Sequence, residues 1–497
     1  MTHPVHQYFR SAPQHRRATI VCTIGPSSSS PEVLLALAQA GMDVVRLNFS
    51  HGDYAQKDAI INHVRAIERK VGRPLAILQD LQGPKLRVGE MMGAKPALLE
   101  PGHTITITTA PCLGTAQRIS VSYAKLPGDV KPGDPILLAD GTIALRVLEV
   151  QQDDVHCEVV HGGLLLPRKG VNLPGVKLSI PALTPKDIKD VRYGVQRGVD
   201  WIALSFVRDA HDIVQLQRMI ARDYARLRPA PAQLPPRVIA KIEKPEAVAQ
   251  LPAIIAVADG VMVARGDLGV ELRPEMVPVV QKEMIRLANA AGKPVITATQ
   301  MLETMIHSPV ATRAETSDVA NAVFDGTDAL MLSGETAAGD NPVAAVQVMA
   351  RIVASVEASD LYVPRPRTGA ASTSDGIAQA AVQVARDINA ACIAVFTHSG
   401  TTAMHLVHYR PMMPVIALCT NAAIARPLML YWNLKTFTVP QCASRARQLQ
   451  LAERVVRTLG MAGPGKAYVV VSGSTFQSGG TNWVEVRTCG VTPDERK

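Results

Sequence analysis

Eight short, apolar, β-branched segments, separated by stretches of helical length, restrict the folds open to this chain more than any other feature. They are 18–24, 43–49, 75–81, 201–206, 237–243, 260–267, 294–300 and 329–333. Most begin 23 to 36 residues after the one before, which is the length of a strand plus its crossover helix. Strand and helix alternating eight times predict an α/β fold built on a closed, parallel (β/α)8 TIM barrel. One interval breaks the rhythm: 126 residues separate the starts at 75 and 201. The inserted stretch has the texture of a small all-β domain. His103–Thr109 alternates as a strand, and Pro135–Leu145 reads as strand, Asp-Gly turn, strand.

These patterns predict four regions. The barrel takes 18–83 and 183–358, and a β-barrel-like domain, 84–182, is inserted after the third strand. That is the catalytic end of such a barrel, where an insertion is placed to close as a lid. Beyond 358 the polar, proline-containing stretch Pro364–Asp375 reads as a linker. A helix at 376–389 and strands at 392–396, 414–419 and 467–472 follow, so 359–497 is expected to be an open α/β domain. Residues 1–17 contain no acid, lack the apolar core of a signal peptide and end in Arg16-Arg17. A short flexible tail is the preferred reading over a transit peptide.

Charge and cysteine content narrow the class. The net charge of +9 is spread along the chain and aromatic residues are only 4%. A nucleic-acid binder needs a basic stripe and stacking platforms, so anionic small molecules are the expected partners instead. No apolar run reaches the length of a membrane span. The seven cysteines are scattered without metal-ligand spacing, as expected for free thiols in a reducing cytoplasm.

Polar groups gather where the predicted strands end. In Val238–Glu246, Lys241 and Glu243 fall on the same face of a strand that otherwise reads as buried. That pair alone is either a structural ion pair inside a barrel or part of a reactive site. The segment Val261–Gly269 shifts the balance, because a second apolar strand ends in an acid, Asp267. Two acids and a lysine at successive strand ends suit a divalent cation beside a cationic clamp, as phosphoryl transfer requires. Arg46 and Asn48 end the second strand, with Ser50 just after. Asp80 ends the third, Thr299 the seventh and Ser333 the eighth.

Seven segments, in order over some 300 residues, carry a family likeness: Thr23–Ser27 (TIGPS), Val45–Gly52 (VRLNFSHG), Lys169–Pro174 (KGVNLP), Ala240–Glu243 (AKIE), Val263–Gly269 (VARGDLG), Ala298–Leu302 (ATQML) and Leu332–Thr336 (LSGET). With the inserted and C-terminal domains, the chain resembles the pyruvate kinases. The resemblance implies phosphoryl transfer from phosphoenolpyruvate to ADP, giving pyruvate and ATP, with Mg²⁺ or Mn²⁺ on Glu243 and Asp267. It assigns Lys241, Arg46 and Arg87 to the transferring phosphoryl group, Thr299 to enolate protonation through water, and Ser333 to the catalytic set. Gly266 and Asp267, opening a helix, would meet the substrate carboxylate. Asn48, His51, Arg87 and Lys169 would meet the nucleotide.

The chain also departs from the family pattern. Ala338 stands where many relatives have Lys, which removes a nucleotide contact. In Asp80–Lys85, Leu81 replaces a usual Thr and Lys85 a usual Glu. The resemblance then implies that K⁺ is not required, with the Lys85 ammonium filling a monovalent-cation pocket formed by Asn48, Ser50, Asp80 and Leu81. It further implies a homotetramer and an effector loop, Thr397, His398, Ser399, Gly400, Thr401 and Thr402, that takes a sugar phosphate or nucleotide. Two alternatives are weighed against this reading: a phosphoenolpyruvate- or pyruvate-handling lyase or mutase, and a catalytically dead barrel. The nucleotide-facing insertion with Lys169 argues against the first. The presence of Lys241, Glu243, Asp267 and Thr299 argues against the second.

Overall fold

A computed structural model describes residues 16–228, 234–367, 369–442, 444–473 and 480–490. Eight parallel strands close into one barrel, in the order first, eighth, seventh, sixth, fifth, fourth, third, second. They are Thr19–Thr23, Val44–Asn48, Ala76–Asp80, Trp201–Leu204, Arg237–Ile242, Gly260–Ala264, Val295–Ala298 and Ala329–Leu332. All eight predicted segments are therefore strands, each slightly shorter than its apolar run. One run that ends early is 260–267. Its last three residues turn into the helix Arg265–Glu271, so Asp267 sits in a first helical turn rather than on a strand.

Strand residues pointing outward pack against the ring of helices, and those pointing inward fill the barrel. The inward set at the amino-terminal end, including Val21, Leu78, Trp201, Met262 and Met331, is continuous with the apolar core of the C-terminal domain. The barrel floor is therefore shared rather than solvated. Trp201 Nε1 donates to the carbonyl of Pro427 at 3.1 Å, and Arg237 donates to Tyr431 Oη at 2.9 Å.

The inserted domain is built mainly of strands, as its alternation predicts. Its strands pair as a six-stranded sheet, Val171–Asn172, Pro135–Leu138, Ile143–Gln151, Asp154–His161, Thr104–Thr108 and Arg118–Ser120, beside a two-stranded ribbon of Ala97–Leu99 with Gly163–Leu165. The segment 86–89 bridges the two edges of the six-stranded sheet and closes the ring. Arg87 pairs with Gly170 beside one edge strand and Val88 with Val121 beside the other, the Val171 N–H donating to the Leu86 carbonyl at 3.0 Å and the Gly89 N–H to the Ser120 carbonyl at 2.8 Å. The Asp-Gly turn is present, with Ala139, Asp140 and Gly141 all at positive φ. Among the described residues the C-terminal sheet has five strands, ordered Leu434–Thr438, Val415–Cys419, Ile393–Thr397, Ala467–Gly473 and Thr481–Thr488. Sequence reasoning missed its first and last strands. Leu434–Thr438 contains Lys435, and Thr481–Thr488 mixes Glu485 and Arg487 with apolar residues, so neither shows an apolar run.

Of the tail expected at 1–17, residues 1–15 lie outside the described residues. Arg16 and Arg17 do not behave as a loose end. Arg16 pairs with Asp43 and donates to the carbonyl of Gly41. The Arg17 backbone N–H donates to Glu357 at 2.6 Å.

Candidate active site

The carboxyl ends of the barrel strands converge on one charged cluster. Lys241 Nζ lies 2.8 Å from Glu243 Oε1, 3.2 Å from Asp80 Oδ1 and 2.7 Å from Ser205 Oγ. Arg46 holds the other Asp80 oxygen, with Nε at 2.8 Å and a terminal guanidinium nitrogen at 2.6 Å. It also donates to Thr23 Oγ1 at 2.8 Å. Five barrel strands thus contribute to one network: Thr23 from the first, Arg46 from the second, Asp80 from the third, Ser205 just after the fourth, and Lys241 with Glu243 from the fifth. Period-two alternation explains the last pair, because Lys241 points to the same side as Glu243, one residue past the strand.

Burial and pairing set the protonation states. Burial by itself would lower the Lys241 pKa, but the carboxylates of Asp80, Glu243 and Asp267 reverse this and raise it, so the ammonium stays charged at neutral pH. Burial would raise the Asp80 pKa, and the Lys241 and Arg46 cations bring it below the ordinary carboxylate range. Burial raises the pKa of Glu243 and the neighbouring Asp267 charge adds to it, with Lys241 and the Phe206 N–H offsetting only part. Phe206 supplies that N–H at 2.7 Å from a left-handed backbone, φ +57°.

Glu243 and Asp267 are therefore two near carboxylates whose repulsion a shared divalent cation would relieve. Their hard oxygens suit Mg²⁺ or Mn²⁺. Among the described residues no cluster of three or more His, Cys, Asp or Glu could hold a metal ion. Water and substrate oxygens would have to complete the shell.

Thr299 and Gly266 meet as well, but not as expected. The Gly266 N–H, predicted to face a substrate carboxylate, donates to Thr299 Oγ1 at 2.7 Å, and that hydroxyl donates to the Ala298 carbonyl at 2.6 Å. Thr299 and Gln300 leave the seventh strand at φ +67° and +53°, a strained exit for residues with side chains. Arg265 pins it, donating to the carbonyls of Thr299 and Gln300 at 2.8 and 3.1 Å while pairing with Asp318 at 2.7 Å. Ser333 follows the eighth strand. Its N–H donates to Glu335, and its buried hydroxyl has no protein partner.

A cavity of about 230 Å³ opens between barrel and inserted domain, lined among others by Lys85, Arg87, Lys169, Asn172, Lys244 and Asp267. It brings three predicted residues, Arg87, Lys169 and Asp267, to one space. Arg87 also donates to the Arg168 carbonyl at 3.0 Å. His51 is exposed on the loop after the second strand. Partial burial, then the charges of Lys85 and Arg87, lower its pKa. Asn48 Oδ1 is occupied by the Ser50 N–H at 2.9 Å.

The monovalent-cation pocket needs correction. Lys85 was expected to sit against Asp80, but it is open to solvent at the cavity rim and forms no ion pair among the described residues. Arg46 and Lys241 already hold both Asp80 oxygens. The Leu81 carbonyl, a further expected ligand, accepts from Ser205 Oγ at 2.7 Å. Protein crowding around Lys85, followed by repulsion from Lys241, lowers its pKa against the pull of Asp267, Asp80 and Glu243.

Sequence reasoning passed over Ser205, Phe206 and Thr23. Ser205-Phe206 closes the run 201–206, and a hydroxyl at the end of an otherwise apolar strand was the available signal.

The predicted effector residues lie in the C-terminal domain, between the strand Ile393–Thr397 and the helix Thr401–His408. Gly400 turns the chain at φ +87°, its N–H held by Thr397 Oγ1 at 2.9 Å. Ser399 Oγ and Thr401 Oγ1 are 3.0 Å apart, and Thr402 is tied to Thr481.

Comparison with known proteins agrees with this arrangement. The family described as pyruvate kinase, barrel domain, matches residues 15–346, and the pyruvate kinase alpha/beta domain matches 375–487. A pyruvate kinase of Mycobacterium intracellulare is 43% identical over 477 residues, 96% of this chain and 99% of that one. One from Geobacillus stearothermophilus is 42% identical over 479 residues, 95% of this chain and 80% of its own. The crystal structure of a pyruvate kinase from Cryptosporidium parvum superposes with a TM-score of 0.87 at 37% identity, covering 95% of this chain and 96% of that one. By sequence, by domain order and by three-dimensional arrangement, this chain belongs to the pyruvate kinase family.

Proposed function

We propose that the strand-end cluster transfers the phosphoryl group of phosphoenolpyruvate to ADP, with uptake of one proton, giving pyruvate and ATP. The observation that carries this reading is the Lys241 ammonium, buried yet kept charged between Asp80 and Glu243. A phosphoryl group in transfer spreads charge over its equatorial oxygens, so a fixed cation that needs no reorganisation lowers the barrier. Arg46, oriented by Asp80 and Thr23, supplies the planar donor fork suited to phosphate oxygens. Arg87 and Lys169 line one cavity from the side of the inserted domain, where the nucleotide phosphates would lie, and family resemblance assigns His51 and Asn48 to the same nucleotide.

Glu243 and Asp267 would hold Mg²⁺ or Mn²⁺, which when bound neutralises the substrate carboxylate and the enolate oxygen. Thr299 Oγ1 has its own proton committed to the Ala298 carbonyl. Its part is to orient a water that delivers the proton to the enolate carbon. The unpartnered Ser333 hydroxyl is available to the same water chain.

K⁺ is not required in this reading, because Arg46 and Lys241 neutralise Asp80 and Lys85 adds a further cation close by. The hydroxyl-rich turn at Thr397–Thr402 supports an effector site for a sugar phosphate or nucleotide. Kinship supports a homotetramer. Seven unpaired thiols favour the cytoplasm, and no helix among the described residues is long and apolar enough to cross a membrane.

Pyruvate release that depends on ADP tests the reading. Lys241→Met should lower kcat by roughly 10²–10³, the cost of removing one electrostatic stabiliser, and leave the KM for phosphoenolpyruvate within a few-fold. An effect confined to KM would overturn the assignment.

A further inference from the structure

The helix Arg265–Glu271 has one end in the active site and the other under the inserted domain. Asp267 lies in its first turn. Glu271 is its last residue, and there Asn172 of the inserted domain donates to Glu271 Oε1 at 3.0 Å. The same oxygen accepts from Lys244 Nζ at 2.6 Å. Lys244 and Glu271 are both buried, and Glu271 Oε2 has no hydrogen-bond partner. The hold on this carboxylate therefore rests on a single oxygen, shared between one barrel residue and one residue of the inserted domain.

This pair stands directly behind the two metal-binding carboxylates. Lys244 follows Glu243 in the chain, and its ammonium lies 5.8 Å from the centre of the Phe206 ring, whose backbone N–H serves Glu243. Lys244 and Asn172 also line the cavity that Asp267, Arg87 and Lys169 share. The inserted domain rests on the same helix end at a second point. A Cβ built on Gly141 in the Asp-Gly turn would meet Val270 at 3.7 Å.

We propose that Asn172 and Glu271 are positioning residues that couple closure of the inserted domain over a nucleotide to the placement of Asp267. This rests on the reading of Asp267 as a metal ligand and Lys169 as a nucleotide contact. When the inserted domain closes, the Asn172 amide seats on Glu271 and fixes the far end of a helix only two turns long. A rod that short transmits the constraint to its first turn. When the domain lifts away, Lys244 alone orients Glu271, and the helix regains freedom at the end that carries Asp267. Nucleotide binding then completes the metal site, so phosphoenolpyruvate is activated only when an acceptor is present.

The test uses the full enzyme. Amide hydrogen exchange in the segment 265–271 is followed with Mg²⁺ present, with and without saturating ADP. Wild-type exchange there should slow about tenfold on adding ADP. Asn172→Ala should lose most of that slowing, with its melting temperature unchanged. The Mg²⁺ concentration giving half-maximal rate should rise about fivefold in the variant, and excess Mg²⁺ should restore kcat, which general loss of structure would not allow. ADP-induced slowing that survives in Asn172→Ala overturns the proposal alone. An Asp267→Asn enzyme with wild-type Mg²⁺ dependence would instead remove the metal reading beneath it, and both would fall.

Discussion

At the scale of single residues, the partners of each charge decide what the site can do. Lys241 stays charged because three carboxylates overcome the cost of burying it. The Ser205 hydroxyl then fixes where its ammonium points by bridging it to the Leu81 carbonyl. Lys85 shows the reverse case. Its presence in place of a usual acid was plain in the sequence, but its position was not, because a side chain of four methylenes reaches several sites from one backbone position. It stands at the rim rather than on Asp80. Monovalent-cation dependence should still track its charge, since from the rim its ammonium still acts electrostatically on Asp80, Glu243 and Asp267. The wild-type enzyme should be fully active in a tetraalkylammonium buffer free of K⁺ and Na⁺. Lys85→Glu should lose activity in that buffer and regain it as K⁺ is added. A wild-type enzyme nearly inactive without K⁺ would contradict this.

At the scale of elements, the site depends on how strand exits are packed against one another. The first and eighth strands leave the barrel side by side. Thr23 Oγ1 donates to the Leu332 carbonyl, and Thr336 Oγ1 donates to the Thr23 carbonyl, each at 2.9 Å. Gly25 lies in this junction because nothing larger fits. A Cβ there would come within 2.5 Å of the Ala337 carbonyl oxygen, and backbone cannot swing aside as a side chain can. Thr23 also accepts from Arg46, so a shift at Gly25 reaches the guanidinium proposed to hold phosphate. Gly25→Ala should therefore lower stability by about 1–3 kcal/mol, as overpacking does, and lower kcat/KM for phosphoenolpyruvate about tenfold. Calorimetry and initial rates check both. Unchanged kinetics would mean that the junction does not govern Arg46.

At the scale of the whole molecule, charge networks tie the barrel floor to the C-terminal domain and to the first described residues. Asp43, buried beneath the second strand, pairs with Arg16 and, at 3.4 Å, with Arg73, and accepts from the Ile20 N–H at 3.0 Å. Burial would raise its pKa, and Arg16, Arg73 and Lys435 together bring it below the ordinary value. An acid whose pKa is depressed on folding contributes stability that is fully present above its unfolded pKa, about 3.9, and lost as pH falls through the folded value. Asp43→Asn should thus cost about 3 kcal/mol at pH 7, as breaking a buried pair does, and progressively less below pH 4. Melting temperatures of both proteins across pH 3 to 7 should converge at the acid end. A constant gap would show that charge is not the cause.

The sequence alone determined the barrel, the place of the insertion and the strand-end positions of Arg46, Asp80, Lys241 and Glu243. Each follows from local regularities: apolar runs, a βα repeat of near-constant length, and side chains alternating along a strand. Tertiary structure alone decided which charges meet. Arg46 and Asp80 are 34 residues apart, and Asn172 and Glu271 are 99 apart. No local pattern encodes such pairs, because they exist only once the barrel has closed and the inserted domain has settled on it. The same holds for the polar edge strands of the C-terminal sheet. Lys435 is half-buried in one of them, and its ammonium donates to the Arg16 carbonyl at 3.2 Å, a contact its own segment does not encode.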